Sequence, residues 1–553
     1  MAKKTSPSKL ALSLASWRNQ QRIETIANQV RSHSARLDNP PKIIVFNASS
    51  RLSGLSQNAA FTLITGWALR LAGAQVVYFA CQSGMSHCVL GTNREDYTRH
   101  PPCEECIVQT KRLARAFDPH WFRFQPDLGF EKELADLTVS ELEEVEYLKP
   151  DLGWVEAIPI GKLVLPALRW ALRRYHLPDD DPTRYLFRQY ILSAQNIAVQ
   201  FSELLEQEKA QVCLIFNGIM YPEATARWVA LQKGVRVVTQ EVGFQPFSAF
   251  FTDGEATAYP IRIPREFELD QRQEARLDAY LEKRFQGKFT MAGIQFWKEI
   301  QGLSEEFNQR AASFKQIVPI FTNVIYDTSQ VHANVLFRHM FHWLDHVLEI
   351  IRSHPETLFV IRAHPDEMRP GTAKQSHESV RDWVIANGVN KLSNVVFIDS
   401  QEYVSSYELI KRSKFLMVYN SSIGLEAALL SVLVLCGGKA RYTQYPTGLL
   451  PKSLNDFDEL AEALLTIEEF EFPKAFLRNA RRYLYYQLYR VSLPFDQYLE
   501  VGPKAGFVQL RGFNWKALIP KNTLTMQTVI NGILLGEEFQ IPEEQEWNVY
   551  GSD

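Results

Sequence analysis

Two stretches bring together side chains suited to holding a phosphate. In Phe415-Leu-Met-Val-Tyr-Asn-Ser-Ser-Ile-Gly-Leu-Glu-Ala-Ala-Leu429, an apolar run passes through small polar residues straight into a helical pattern. The first turn of a helix leaves backbone N–H groups unpaired, and small residues let an anion approach them. Ser421, Ser422 and Gly424, with Asn420 at the turn, therefore predict a phosphate or diphosphate cradle. Glu426 falls in the first helical turn, where the dipole favours a carboxylate and where it can accept hydrogen bonds from two neighbouring ribose hydroxyls. Helix capping by the same residues accounts for the segment alone equally well, so the reading turns on context.

That context is Phe359-Val-Ile-Arg-Ala-His-Pro-Asp-Glu367, a buried-type strand ending in Arg362, His364 and Pro365. In open α/β sheets ligands bind at the carboxyl ends of the strands. A guanidinium and an imidazole there neutralise phosphate, and Pro365 stiffens the turn that aims His364. A second cluster is Cys81, Cys88, Cys103 and Cys106. Four thiols including one CxxC pair suit a structural tetrahedral zinc, with His87 and His100 as alternative ligands; free or redox-active thiols are the competing reading. Asp179-Asp-Asp181 has an Asp-x-Asp pattern but sits between Pro178 and Pro182, as a solvated turn would.

The elements that must position these groups follow from apolar periodicity. Pro40-Pro41 ends a helix over about 8–37 and precedes a buried strand, Lys42–Asn47. A small-residue loop around Ser50, a helix over about 57–72 and a strand from Gln75 to Ala80 follow. Strand, loop, helix, strand opens a doubly wound sheet. Residues 110–206 read as a helical insertion. Strands Val212–Phe216 and Val235–Thr239 then flank a helix over about 221–233 that ends at Gly234. A helical connection over about 266–314 leads to a second set of strands: Ile317–Thr322, Leu358–Arg362, Val395–Ile398, Phe415–Tyr419 and Val432–Cys436. The predicted fold is α/β, with two Rossmann-like domains facing a central cleft. The expected divisions are a helical arm at 1–38, a first domain at 39–310, a second at 311–485, and a tail at 486–553 returning to the first lobe.

Bulk properties agree with a two-lobed enzyme. The chain has 553 residues, too many for one core, with 46% apolar and 22% charged residues and a formal net charge of -3. That charge gives no reason to expect a nucleic-acid partner. No stretch approaches the roughly 20 apolar residues of a membrane span, so a cytoplasmic protein is expected. The first helix carries Leu10, Leu12, Leu14, Trp17, Ile23, Ile26 and Val30 beside Lys9, Arg18, Arg22 and Arg31. It suits either packing on the body or a peripheral position on the inner face of the membrane.

Taken together, Arg362-x-His-Pro-x-Glu367, Tyr407, Tyr419-Asn-Ser-Ser-x-Gly-x-Glu426, and Gly437-Gly438 followed by Tyr442 resemble bacterial capsular and surface polysaccharide biosynthesis proteins of the GT-B glycosyltransferase type. One departure is Ser431-Val-Leu-Val434, where such proteins often have Gly-x-Pro-Val. The resemblance implies transfer of a sugar from a nucleotide-sugar donor to a glycan or lipid-linked glycan acceptor, with a polysaccharide assembly complex as a partner and no cofactor for catalysis. It implies Arg362, His364, Asn420, Ser421, Ser422, Gly424 and Glu426 as donor-binding residues, with His364 also catalytic, and Ser50 reaching the same cleft. Glu241, in Gln240-Glu-Val-Gly-Phe244, is the implied general base; Asp253, in Thr252-Asp-Gly254, is its rival. A sugar-nucleotide epimerase of the same fold and a non-catalytic scaffold are the alternatives.

Overall fold

The computed structural model describes residues 9–35, 37–47, 54–286, 302–368, 375–503 and 506–546. Continuous apolar runs such as Lys42–Asn47 and Thr357–Arg362 cannot leave one face in water, so they become strands covered on both faces. Two sheets result. The first contains β1 (Lys42–Asn47), β2 (Gln75–Cys81), β3 (Asp118–Phe122), β4 (Val212–Phe216), β5 (Arg236–Val242) and β6 (Ser248–Thr252). The second is wholly parallel: β7 (Gln316–Phe321), β8 (Thr357–Arg362), β9 (Val395–Ile398), β10 (Phe415–Val418) and β11 (Leu433–Cys436). A further short strand, β12 (Leu493–Pro494), pairs antiparallel with β6 at the edge of the first sheet.

Strand order is β12-β6-β5-β4-β1-β2-β3 in the first sheet and β11-β10-β7-β8-β9 in the second. Each therefore reverses direction of growth once, between β1 and β4 and between β7 and β10, as a Rossmann-like domain does. Side chains alternate between two cores. Ile43 and Val45 of β1 face one apolar cluster and Ile44 and Phe46 the other; Leu358 and Val360 of β8 divide likewise from Phe359 and Ile361.

Several expectations need correction. The stretch 110–206 is not wholly helical, because β3 runs through it as the edge strand of the first sheet. Of the helical connection over 266–314, the described residues form helices Gln271–Phe285 and Glu305–Ala311. Leu277, Leu281 and Phe307 of these pack with Phe321, Leu358 and Leu416, so the second lobe begins near residue 271 rather than 311. The chain leaves that lobe through helix Lys474–Tyr485, continues as a π-helical turn Tyr486–Arg490, and enters β12. Ile530, Ile533 and Ile541 then complete the first lobe's core.

The first helix is Lys9–His33. Ile23, Ile26, Ala27 and Val30 are buried on the first lobe, while Leu10, Leu14 and Trp17 of its first half are exposed. Packing on the body thus accounts for the second half. Among the described residues no helix is long and apolar enough to cross a membrane.

Candidate active site

The carboxyl ends of β7, β8 and β10 deliver Thr322, Asn323, Ala363, His364, Asn420, Ser421 and Ser422 to one crevice. This is the topological switch point of the second sheet, where divergent loops leave room for a ligand. A cavity of about 230 Å³ lies there, bounded by Arg284, Arg362, His364, Tyr407, Ser421 and Glu426. It adjoins a larger cavity of about 500 Å³ that opens between the lobes, where Trp170, Phe244 and Thr257 of the first face Tyr326, His332, Asn420 and Arg441 of the second.

The Ser421 loop is fixed from behind. Tyr442 donates its hydroxyl to the Ser421 carbonyl (3.1 Å), and a Cβ at Gly424 would lie 2.0 Å from that hydroxyl oxygen. Gly424 is thus required by the close approach of Tyr442, and it lines neither cavity, contrary to its expected place in a phosphate cradle. Asn420 is also held: its Oδ1 accepts from Asn323 (2.7 Å) and Gln330 (3.2 Å), and its Nδ2 donates to the Ser329 carbonyl (3.4 Å). Ser421 and Ser422 line both cavities, and the Ser422 side chain makes no capping bond to the helix that follows.

Glu426 is buried in the first turn of helix Ile423–Leu429. Its Oε1 accepts from Arg284 Nη2 (2.6 Å) and its Oε2 from the Tyr407 hydroxyl (2.5 Å). Burial alone would pull the Arg284 guanidinium down, but the Glu426 carboxylate outweighs it and raises Arg284 above its ordinary value. Burial and then the Glu426 charge push Tyr407 up in turn. A carboxylate has about four acceptor sites, so two lone pairs of Glu426 remain for other donors. Arg284 was not anticipated from sequence, although a signal existed. Leu277, Leu281 and Arg284 lie at helical spacing on one stripe, and an arginine continuing a buried apolar stripe needs a buried partner.

Arg362, at the end of β8, is buried; burial lowers its guanidinium to about 10, against the opposing Glu402 charge, and Nη1 donates to the Glu402 carbonyl (3.3 Å). His364 Nδ1 accepts from the Asp366 backbone N–H (3.1 Å), which turns the ring at the mouth shared by both cavities. Glu367, in the same motif, turns into the body instead. Its Oε1 accepts from the Val380 N–H (2.8 Å), and burial raises it to about 8.

The first lobe's expected bases separate. Glu241 sits at the carboxyl end of β5, where its carboxylate accepts from Asn58 (3.0 Å), Asn217 (2.8 Å) and the Val242 N–H (2.8 Å); burial raises its carboxyl, against those bonds. Asp253 lies by the opposite end of β5, bound to Arg236 Nε (2.8 Å) and Nη2 (2.7 Å). Arg236 also donates to the carbonyls of Gly532 and Ile533, so Asp253 belongs to a fork anchoring the C-terminal helix, away from the cleft. Ser50 lies outside the described residues. Cys81, Cys88, Cys103 and Cys106 are free thiols, and among the described residues no group of His, Cys, Asp or Glu is arranged to hold a metal ion. The Cys81 and Cys88 sulfurs instead accept from the N–H groups of Gly84 (3.1 Å) and Gly91 (3.2 Å), and burial pushes both thiols up to about 12. Asp180 of the Asp-x-Asp stretch caps helix Asp181–Glu208 through the Thr183 N–H (2.9 Å).

Residues 270–449, which begin at the helix carrying Arg284 and include the whole second-sheet site, match the family described as capsule polysaccharide biosynthesis protein. The resemblance read from the motifs is thus shown over that segment. No curated protein matches the chain. Similar solved structures include a KpsC beta-Kdo 2,4-transferase from Thermosulfurimonas dismutans (12% identity, 55% of this chain and 85% of that one, TM-score 0.33). A sucrose-phosphate synthase from Thermosynechococcus elongatus aligns at 11% identity over 90% and 100% of the two chains, with a TM-score of 0.29. A UDP-GlcNAc 2-epimerase from Neisseria meningitidis aligns at 13% identity over 81% and 99%, with a TM-score of 0.24.

Proposed function

We propose that the protein is a GT-B-type glycosyltransferase that moves a sugar from a nucleotide-activated donor to a capsular or surface polysaccharide acceptor. The single observation that carries this reading is the pinned carboxylate. Glu426, locked by Arg284 and Tyr407 beside the Ser421-Ser422 turn, lies within the segment that matches the capsule family. In this reading the spare lone pairs of Glu426 take the ribose hydroxyls. The phosphate lies on the Ser421 and Ser422 hydroxyls, with His364 and Arg362 meeting the charge that builds as it departs; preorganised donors of this kind act on developing charge without a metal ion. The acceptor enters from the first lobe, past Trp170 and Phe244.

The test is thermal denaturation of the full chain with CMP, CDP, UDP, GDP and TDP. A ligand that binds only the native state raises its melting temperature, by about 2.7 kcal/mol of stability at a hundredfold excess over Kd. One nucleotide class should stabilise the protein, and His364→Ala should weaken that shift. No shift with any of them at millimolar concentration sinks the reading.

A further inference from the structure

Asp253 lies by the amino-terminal end of β5 and Glu241 is enclosed by amides, so neither offers a free proton acceptor to the interlobe cavity. One imidazole stands out there. His332, in the turn Gln330–Ala333, lines the cavity together with His364, Ser421 and Glu426. Its Nδ1 is 3.2 Å from Glu255 Oε2, and its Nε2 is 2.8 Å from the Thr257 hydroxyl. Glu255 and Thr257 come from the first lobe, immediately after β6, so the arrangement forms only where the two lobes meet. Glu255 is itself oriented by Arg227 (2.8 Å) of helix Tyr221–Gln232.

The partners decide the tautomer. A carboxylate beside Nδ1 demands the proton there, which leaves Nε2 with its lone pair outward, accepting from Thr257. The Thr257 hydroxyl thus occupies the place of an incoming alcohol. The ring is also tied to the second lobe's site. Gln330 donates to Asn420, the neighbour of Ser421, and the Lys439 N–H donates to the Ala333 carbonyl (3.0 Å).

We propose that His332 is the catalytic base that takes the proton of the acceptor hydroxyl, with Glu255 of the opposite lobe as its positioning residue; this rests on the glycosyl-transfer reading above. The acceptor O–H proton passes to Nε2 as the acceptor oxygen bonds to the anomeric carbon. The bond from that carbon to the donor phosphate oxygen breaks, and its electron pair leaves on the phosphate. Burial lowers the His332 imidazole below the usual histidine range; Glu255 opposes this, and Lys439, Arg227 and Arg441 reinforce it. A neutral base near neutral pH is the consequence.

The experiment uses the full chain and the nucleotide-sugar whose nucleotide raises the melting temperature, following nucleotide release with water as acceptor across pH 4.5–9. The wild type should show an acid limb, with its midpoint below the ordinary histidine value of about 6.5. His332→Gln should retain the nucleotide-induced thermal shift, lose about 10²–10⁴-fold in kcat and lose the acid limb. Glu255→Gln should move the limb to lower pH, because the carboxylate that favours the imidazolium has gone. A His332→Gln protein that keeps the acid limb and near-normal kcat overturns the proposal and leaves His332 a latch between lobes. A wild type that binds no nucleotide defeats the transfer reading itself, a different outcome.

Discussion

The two lobes repeat one architecture with opposite results. Each follows the strand beyond its switch point, β4 or β10, with an asparagine and then, at the same spacing, a carboxylate in the first helical turn: Asn217 and Glu223 in the first lobe, Asn420 and Glu426 in the second. Glu223 is buried with no cationic partner among the described residues, and burial raises it to about 8. Glu426 is buried to a similar degree but ion-paired with Arg284. Placement by the fold is therefore insufficient to make an ion-paired carboxylate. A guanidinium supplied by helix Gln271–Phe285 is what separates the two.

The largest effect should come from removing that cation. Arg284→Ala leaves Glu426 buried and unpaired and should destabilise the second lobe by about 3–5 kcal/mol in denaturant titration, with nucleotide binding lost. The corresponding residue changes at the phosphate turn should act on turnover and spare folding. His364→Ala is expected to cost about 2–4 kcal/mol of transition-state stabilisation in kcat. Asp253→Asn, at the end of the first sheet away from the cleft, should leave kcat unchanged and alter stability by less than about 1 kcal/mol, since that ion pair is partly exposed.

The two carboxylates should next respond to amide substitution with opposite sign. Between its ordinary value of 4.5 and about 8, Glu223 binds more protons folded than unfolded. Its contribution to stability therefore falls as pH rises through that window. Glu223→Gln should remove the slope and make the protein more stable than wild type at pH 9, by thermal melts. Glu426→Gln should lower stability at pH 7, because it leaves Arg284 without its counter-charge. A stabilising Glu426→Gln would erase the proposed distinction between the lobes.

The smallest effect concerns the turn that leaves each helix. Gly234 has φ 67° in the first lobe, while Ser431 holds φ 59° in the second. A side chain in the left-handed region costs about 1 kcal/mol, so Ser431→Gly should stabilise and Gly234→Ser destabilise, each by roughly that amount in denaturant midpoint. The serine belongs to the Ser431-Val-Leu-Val434 departure noted above, and it sits in the turn between helix Ile423–Leu429 and β11.

What could be read from sequence followed the length of the apolar runs. Lys42–Asn47, Val212–Phe216 and Val395–Ile398 were read to their final residues, because a parallel strand buried on both faces needs an uninterrupted apolar run. Asp118–Phe122, polar at its start and at the sheet edge, carries no such run and was absorbed into a helical region. Arg362, His364, Ser421 and Glu426 are legible in the sequence because they sit at strand ends and helix starts. Arg284 and His332 are not, since they are placed by contacts with Glu426 and Glu255, which are distant in sequence. Asp253, the rival base, is hidden for the same reason: an Asp-Gly turn does not announce the Arg236 fork that holds its carboxylate.

The route of the chain has a consequence for biosynthesis. The second lobe is contiguous from the helix at Gln271 to Tyr485, whereas the first joins Ile23, Val45 and Leu214 to Leu493, Ile530 and Ile541 in one core. A ribosome releasing about 5–20 residues per second exposes the first lobe's unfinished β6 edge throughout synthesis of the second. The second lobe can close first, and the N-terminal lobe matures last, when β12 arrives to cover that edge.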